Sequence, residues 1–176
     1  HTIVQGDKRP PFSAAIDIGN MQLSDIITPS RVVSSLEGAS KKRVLELTAE
    51  FIADESQMDS EDVYQGLIDR ERLGSTGIGY GVAIPHCRLS CLNDDETRGY
   101  LIQLNQGIDF DAIDGQPVEL LFVLLVPEST NQVHLNLLAQ LADCFSTDQF
   151  RHDLQMATDA NELYAIACQA FKTAAA

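Results

Sequence analysis

The longest uninterrupted apolar run is Val118–Val126, VELLFVLLV, nine positions with a single carboxylate. A run of that length bounded by turn residues reads as a strand buried on both faces, and therefore as the middle of a sheet. Around it the pattern changes period. Val44, Leu47, Thr48 and Phe51, widened by Leu45, Ala49 and Ile52, recur at helical spacing, and Ser40 is placed to cap a helix over 41–54. A second helix is predicted from Asp59 or Ser60 to about Leu73, with Val63, Leu67 and Ile68 inward and Gly74 ending it. Strands are expected at Arg31–Leu36 and Arg98–Leu104, and Asp114-Gly115 marks a turn leading into the central strand. Past Pro127, Ser129 with Gln132, Ser146 with Gln149, and Asp159 with Glu162 read as capping boxes. They open three helices: one over 130–145 with Leu137, Leu138, Leu141, Cys144 and Phe145 inward, a shorter one carrying Phe150 and Leu154, and a last one carrying Leu163, Ile166, Ala167 and Phe171. The closing KTAAA is expected to fray. Strands interleaved with helices predict a single α/β domain, a mixed parallel and antiparallel sheet with helices on both faces.

Residues 1–20 show no sustained period and carry Pro10-Pro11, so they read as a remnant of an expression tag, with a natural disordered arm as the alternative. Lys8 and Arg9 cancel Asp7 and Asp17 there, which leaves the formal charge of −14 to residues 21–176. An acidic chain of this kind argues against a nucleic-acid partner, since phosphate backbones reward Lys and Arg, and favours a protein partner with a basic face. No apolar run approaches the roughly 20 residues that span a bilayer, so membrane insertion is not expected. Four cysteines in 176 residues are too few for a disulfide scaffold, and the N-terminus lacks the order of a signal peptide, which together imply a reducing, cytoplasmic setting.

The candidate chemistry centres on Gly74–Leu89, GSTGIGYGVAIPHCRL. Glycines lead into a short apolar run, and Pro85 fixes the backbone before His86. An imidazole with an ordinary pKa near 6.5 offers a free lone pair as nucleophile, base or ligand, although a histidine at a strand end also serves as a plain hydrogen-bonded structural residue. Arg70 and Arg72, at a helix C-terminus, have a reading of their own as partners of the helix dipole. His86, Cys87 and Cys91 supply three potential metal ligands, but a fourth at regular spacing is missing, and Asp109, Asp111 and Asp114 miss the spacing of a calcium loop. Neither a metal nor any other cofactor is therefore expected.

Three fragments, Arg70–Gly79 (RERLGSTGIG), Gly81–His86 (GVAIPH) and Phe110–Phe122 (FDAIDGQPVELLF) followed by Val126-Pro127, stand in consistent order. Together they resemble the enzyme IIA domain of the fructose/mannitol type in the bacterial phosphoenolpyruvate-dependent phosphotransferase system, and within it the nitrogen-regulatory branch. The resemblance runs from about Leu23 to Phe171. It implies that His86 accepts a phosphoryl group from a histidine phosphocarrier protein, that His134 and Arg70 stabilise that group, and that Ser75 and Thr76, the hydroxyl pair of the motif, bind it through their hydroxyls or backbone amides. It also implies a mixed sheet with helices on both faces, as the pattern does. The family commonly carries glycine after the active histidine, where this chain has Cys87. Two roles follow: a regulatory protein controlling partners by its phosphorylation state, or a sugar-specific component passing the group to a IIB domain. Absence of a fused IIB, IIC or phosphocarrier sequence in these residues favours the first.

Overall fold

A computed structural model gives the fold of residues 21–129 and 133–175; residues 1–20, 130–132 and 176, and with them the expected partner Gln132 of Ser129, lie outside the described residues. Two 3-10 turns, Leu23–Asp25 and Pro29–Arg31, precede strand β1 (Val32–Leu36) and helices α1 (Lys41–Ser56) and α2 (Ser60–Arg72). Short strands β2 (Gly77–Gly79), β3 (Val82–Ala83) and β4 (His86–Leu89) follow, then the long pair β5 (Arg98–Ile108) and β6 (Val118–Pro127). Helices α3 (Val133–Phe145), α4 (Asp148–Met156) and α5 (Ala160–Ala175) close the described chain, the last continuing into the segment expected to fray.

β6 is the centre of the sheet. It pairs antiparallel with β5 and parallel with both β3 and β4, while β1 joins β5 in parallel and β2 joins β3 antiparallel. Alternation along β6 divides the molecule into two cores. Leu120, Phe122, Leu124 and Val126 face α3, α4 and α5, with Leu141, Phe145, Phe150, Leu163 and Phe171. Leu121, Val123 and Leu125 face α1 and α2, with Leu45, Ile52, Val63 and Leu67. The apolar run of β6 thus carries no polar alternation because each face of the strand is covered by helices.

Local chemistry sets the element ends. The Ser40 hydroxyl accepts from the Arg43 N–H, and the Asp59 carboxylate from the Glu61 N–H, as their positions predict. The expected cap at Ser146 is corrected: α4 begins after Thr147, because the Ser146 hydroxyl donates back to the Asp143 carbonyl at the end of α3 and Gln149 donates to Asp153. The Ser129 hydroxyl donates to Asp94. Asp159 does accept from the Glu162 N–H, but Glu162 reaches the Thr158 N–H rather than that of Asp159. β5 runs four residues past the expected Leu104, rejoining β6 at Ile108 opposite Val118 after an irregular stretch.

β3 and β4 keep one register against β6, Ala83 opposite Leu121 and His86 opposite Leu124. They are one strand interrupted at Ile84-Pro85, where proline has no N–H to give; the Pro85 carbonyl still accepts from Leu124. The β2–β3 turn needs positive φ at Gly79 (97°), Tyr80 (60°) and Gly81 (80°). Tyr80, with a side chain to accommodate there, is held by the Asp114 carboxylate on its N–H (2.9 Å) and by the Arg151 guanidinium 4.4 Å above its ring.

Gly99 on β5 leaves no room for a side chain, since a Cβ there would lie 2.6 Å from Phe122 Cζ and 3.0 Å from Ile26 Cδ1. Gly99→Ala is therefore expected to cost about 1–3 kcal/mol by overpacking, seen as a lower urea midpoint. An unchanged midpoint would show that Phe122 can move aside freely.

Candidate functional site

The last turn of α2, the Gly74–Thr76 turn and the first residue of β4 converge on one imidazole. His86 Nδ1 lies 2.8 Å from the Ile84 carbonyl oxygen, which can only accept, so Nδ1 carries the proton and Nε2 is left with its lone pair. Arg70 Nε donates to that Nε2 at 3.2 Å while its Nη1 donates to the Gly74 carbonyl at 2.8 Å. The reading of Arg70 as a helix-dipole partner is thereby replaced: the guanidinium is directed across to His86. Arg72 instead pairs with Asp69 on the exposed surface at 3.3 Å.

Two clefts open beside the ring. One of about 330 Å³ is lined by Arg70, Ser75, Thr76, Ile78, His86 and, from α3, Leu138 and Ala142. The other, about 440 Å³, is lined by Asp69, Arg70, Leu73, His86, Cys87 and Arg88. His134 is the second residue of α3, one helical turn before Leu138; its side chain lies outside the described residues. Cys87 is buried, its thiol against Gly66 of α2, and burial pushes it up to about 12, so it is an inert core group.

Ser75 and Thr76 line the first cleft, but both hydroxyl hydrogens and the Thr76 N–H are committed within the fold. The Ser75 hydroxyl donates to the Phe110 carbonyl and accepts from the Gly77 N–H. Thr76 gives both its N–H (2.9 Å) and its hydroxyl (2.7 Å) to the Glu71 carboxylate. Glu71 in turn accepts Lys41 Nζ at 2.7 Å, and Lys41 also donates to the Phe110 carbonyl at 3.2 Å. Glu71 and Lys41 were not singled out as site residues from the sequence. The signal was present for Glu71: it falls on the stripe Val63, Leu67, Glu71 that α2 buries, and a carboxylate at a core position needs partners.

The chain matches the family model described as "Phosphoenolpyruvate-dependent sugar phosphotransferase system, EIIA 2" over residues 25–169. It belongs to that family. It is similar to the nitrogen regulatory protein of Pseudomonas aeruginosa, with 45% identity over 147 residues, 83% of this chain and 94% of that one. A crystal structure of nitrogen regulatory protein IIA-Ntr from Neisseria meningitidis superposes with a TM-score of 0.75 at 40% identity, covering 82% and 97% of the two chains. A more distant relative is the fructose-specific EIIA component of Haloferax volcanii, 32% identical over 138 residues, 76% of this chain and 88% of that one. The expected mixed sheet with helices on both faces is the observed fold. Among the described residues no helix is long and apolar enough to cross a membrane.

Burial holds the His86 pKa below its ordinary value of 6.5; the bond to the Ile84 carbonyl opposes this, the Arg70 charge adds to it, and Glu71 opposes it. A depressed folded pKa means that the unfolded chain binds the proton more readily. The His86 contribution to stability is therefore full above about pH 6.5 and is lost as the pH falls from there through the folded value. In a ring-proton NMR titration the His86 midpoint is expected below 6.5, and Arg70→Gln should move it upward. A midpoint indifferent to Arg70 would leave desolvation as the sole cause.

Proposed function

We propose that this protein is a cytoplasmic phosphoryl-accepting regulator of a bacterial phosphotransferase relay, phosphorylated on His86 Nε2 by a histidine phosphocarrier protein. The observation that carries this reading is the 2.8 Å contact of Nδ1 with the Ile84 carbonyl, which assigns the proton to Nδ1 and leaves Nε2 unprotonated, its lone pair facing the Arg70 guanidinium. Nε2 attacks the phosphorus of the donor's phosphohistidine in line; a new N–P bond forms as the donor's N–P bond breaks, and that electron pair returns to the donor imidazole. The transferred group brings nearly two negative charges to a protein already at −14. Arg70, released from Nε2 when the lone pair enters the new bond, is the cation in reach, and His134 is assigned as a further donor to the phosphoryl oxygens. Ser75 and Thr76 form the wall of the pocket; their hydroxyl hydrogens would have to leave Phe110 and Glu71 to serve the phosphoryl group directly.

A protein donor suits the surroundings, because Leu73 is 84% and Ile78 37% exposed and each lines one of the two clefts flanking His86. The similarity to nitrogen regulatory proteins favours control of partner proteins through phosphorylation state. The fructose-specific relative supports the second reading, onward transfer to a IIB domain, which incubation of the phosphorylated protein with a IIB domain distinguishes.

Phosphoenolpyruvate, the general phosphotransferase enzyme and its phosphocarrier should together add one acid-labile phosphoryl group, detected by intact mass. His86→Ala should take none, and full labelling of that variant would overturn the assignment. His134→Ala should keep its circular dichroism spectrum and lose about 10²–10³-fold in transfer rate, the loss typical of removing one preorganised donor. An unchanged rate in a folded variant would return His134 to a structural role.

A further inference from the structure

Glu71 has a side chain only 3% exposed and no place in the phosphoryl chemistry set out above. Its Oε1 accepts the Thr76 hydroxyl, and its Oε2 accepts both the Thr76 N–H and Lys41 Nζ. The contacts continue from Thr76 toward the nucleophile. The Thr76 carbonyl accepts the Ile84 N–H at 2.9 Å, and the Ile84 carbonyl accepts the His86 Nδ1–H at 2.8 Å. Lys41 and Ser75 meet again on the Phe110 carbonyl, tying the loop after β5 to the same turn.

We propose that Glu71 is the positioning residue for His86: by anchoring Thr76 it fixes the Ile84 carbonyl, and that carbonyl sets the tautomer and the plane of the imidazole. Glu71 touches no reacting atom. Without it the Thr76 turn loses two hydrogen bonds and the Ile84 peptide is no longer held from behind, so that only the Arg70 N–H on Nε2 still opposes a proton there, and that guanidinium can swing off toward the Gly74 carbonyl it already reaches. A ring protonated on Nε2 has no lone pair there for the donor phosphorus. Glycine on both sides of this turn, at Gly74 and Gly77, makes the anchoring necessary, since the intervening backbone has little stiffness of its own. The role resembles that of the outer partners which orient a metal-bound histidine through its second nitrogen, without the metal.

The kinetic consequence rests on His86 being the phosphoryl acceptor; the tautomer does not, so two measurements on the full chain separate the two ideas. Nitrogen chemical shifts of the His86 ring, measured in unphosphorylated protein, should report the Nδ1–H form in the wild type and a mixture of both tautomers in Glu71→Gln, which keeps size and one acceptor oxygen. Phosphoryl transfer from the phosphocarrier should fall on the order of 10-fold in the same variant, the lower end for loss of an orienting partner. Thr76→Val, which removes one of the three donors to Glu71, should shift the tautomer in the same direction by less, and it decides the question alone if Glu71→Gln does not fold. Wild-type ring shifts in a folded Glu71→Gln, or in Thr76→Val when that variant stands alone, would overturn the proposal. A wild-type protein that takes no phosphoryl group but whose variants show the mixed tautomers would sink the acceptor assignment and keep the positioning role.

Discussion

An imidazole offers a lone pair at one nitrogen only while the other keeps the proton, and in this protein a backbone carbonyl holds that proton on Nδ1 while the Arg70 N–H faces Nε2. Ile84 can supply that carbonyl because its peptide sits at the break between two halves of one strand. In an unbroken ladder a carbonyl is engaged by the neighbouring strand; at the break before Pro85 the chain departs from the pleat, and the Ile84 oxygen turns to the side chain two residues on. The sheet, the proline and the histidine thus form one device. β6 holds the register on either side of the interruption, and both cores hold β6.

The two faces of the sheet contribute unequally. The face with α1 and α2 supplies Arg70, Glu71 and Lys41, all charged and all within the last turn of one helix or the first turn of the other. The opposite face supplies α3, whose Leu138 and Ala142 close the cleft with apolar surface. Charge enters from one side and low polarity from the other. A phosphoryl group on Nε2, as proposed above, would have its counter-charge on one side and apolar surface on the other.

Much of this was legible in the residues. VELLFVLLV announces a strand covered on both faces, and Ser40 and Asp59 announce helix starts, because each signal depends on local covalent chemistry alone. The end of β5 was not legible: Asn105, Gln106 and Gly107 carry no strand pattern and are exposed, and only the return to β6 at Ile108 extends the strand. In the site, His86 and Arg70 could be named from their motifs, but the identity of the group that Arg70 reaches depends on how α2 lies against β4. Glu71 was hidden by its neighbours, since a carboxylate between two arginines near a helix end reads as surface. Only its place on the buried stripe set it apart. The Ile84 carbonyl could not be named at all, because every residue carries one.

β4 pairs with β6 alone among the described strands, so its other rim is a sheet edge without a strand partner, beside the cleft lined by Asp69, Arg70 and Leu73. Open edges recruit foreign strands. This one is four residues long, and the one position it presents fully to solvent is Arg88, a long cation that an incoming strand would have to desolvate. Pairing through this backbone edge is in this way discouraged, and approach to it meets a side chain before it meets the backbone.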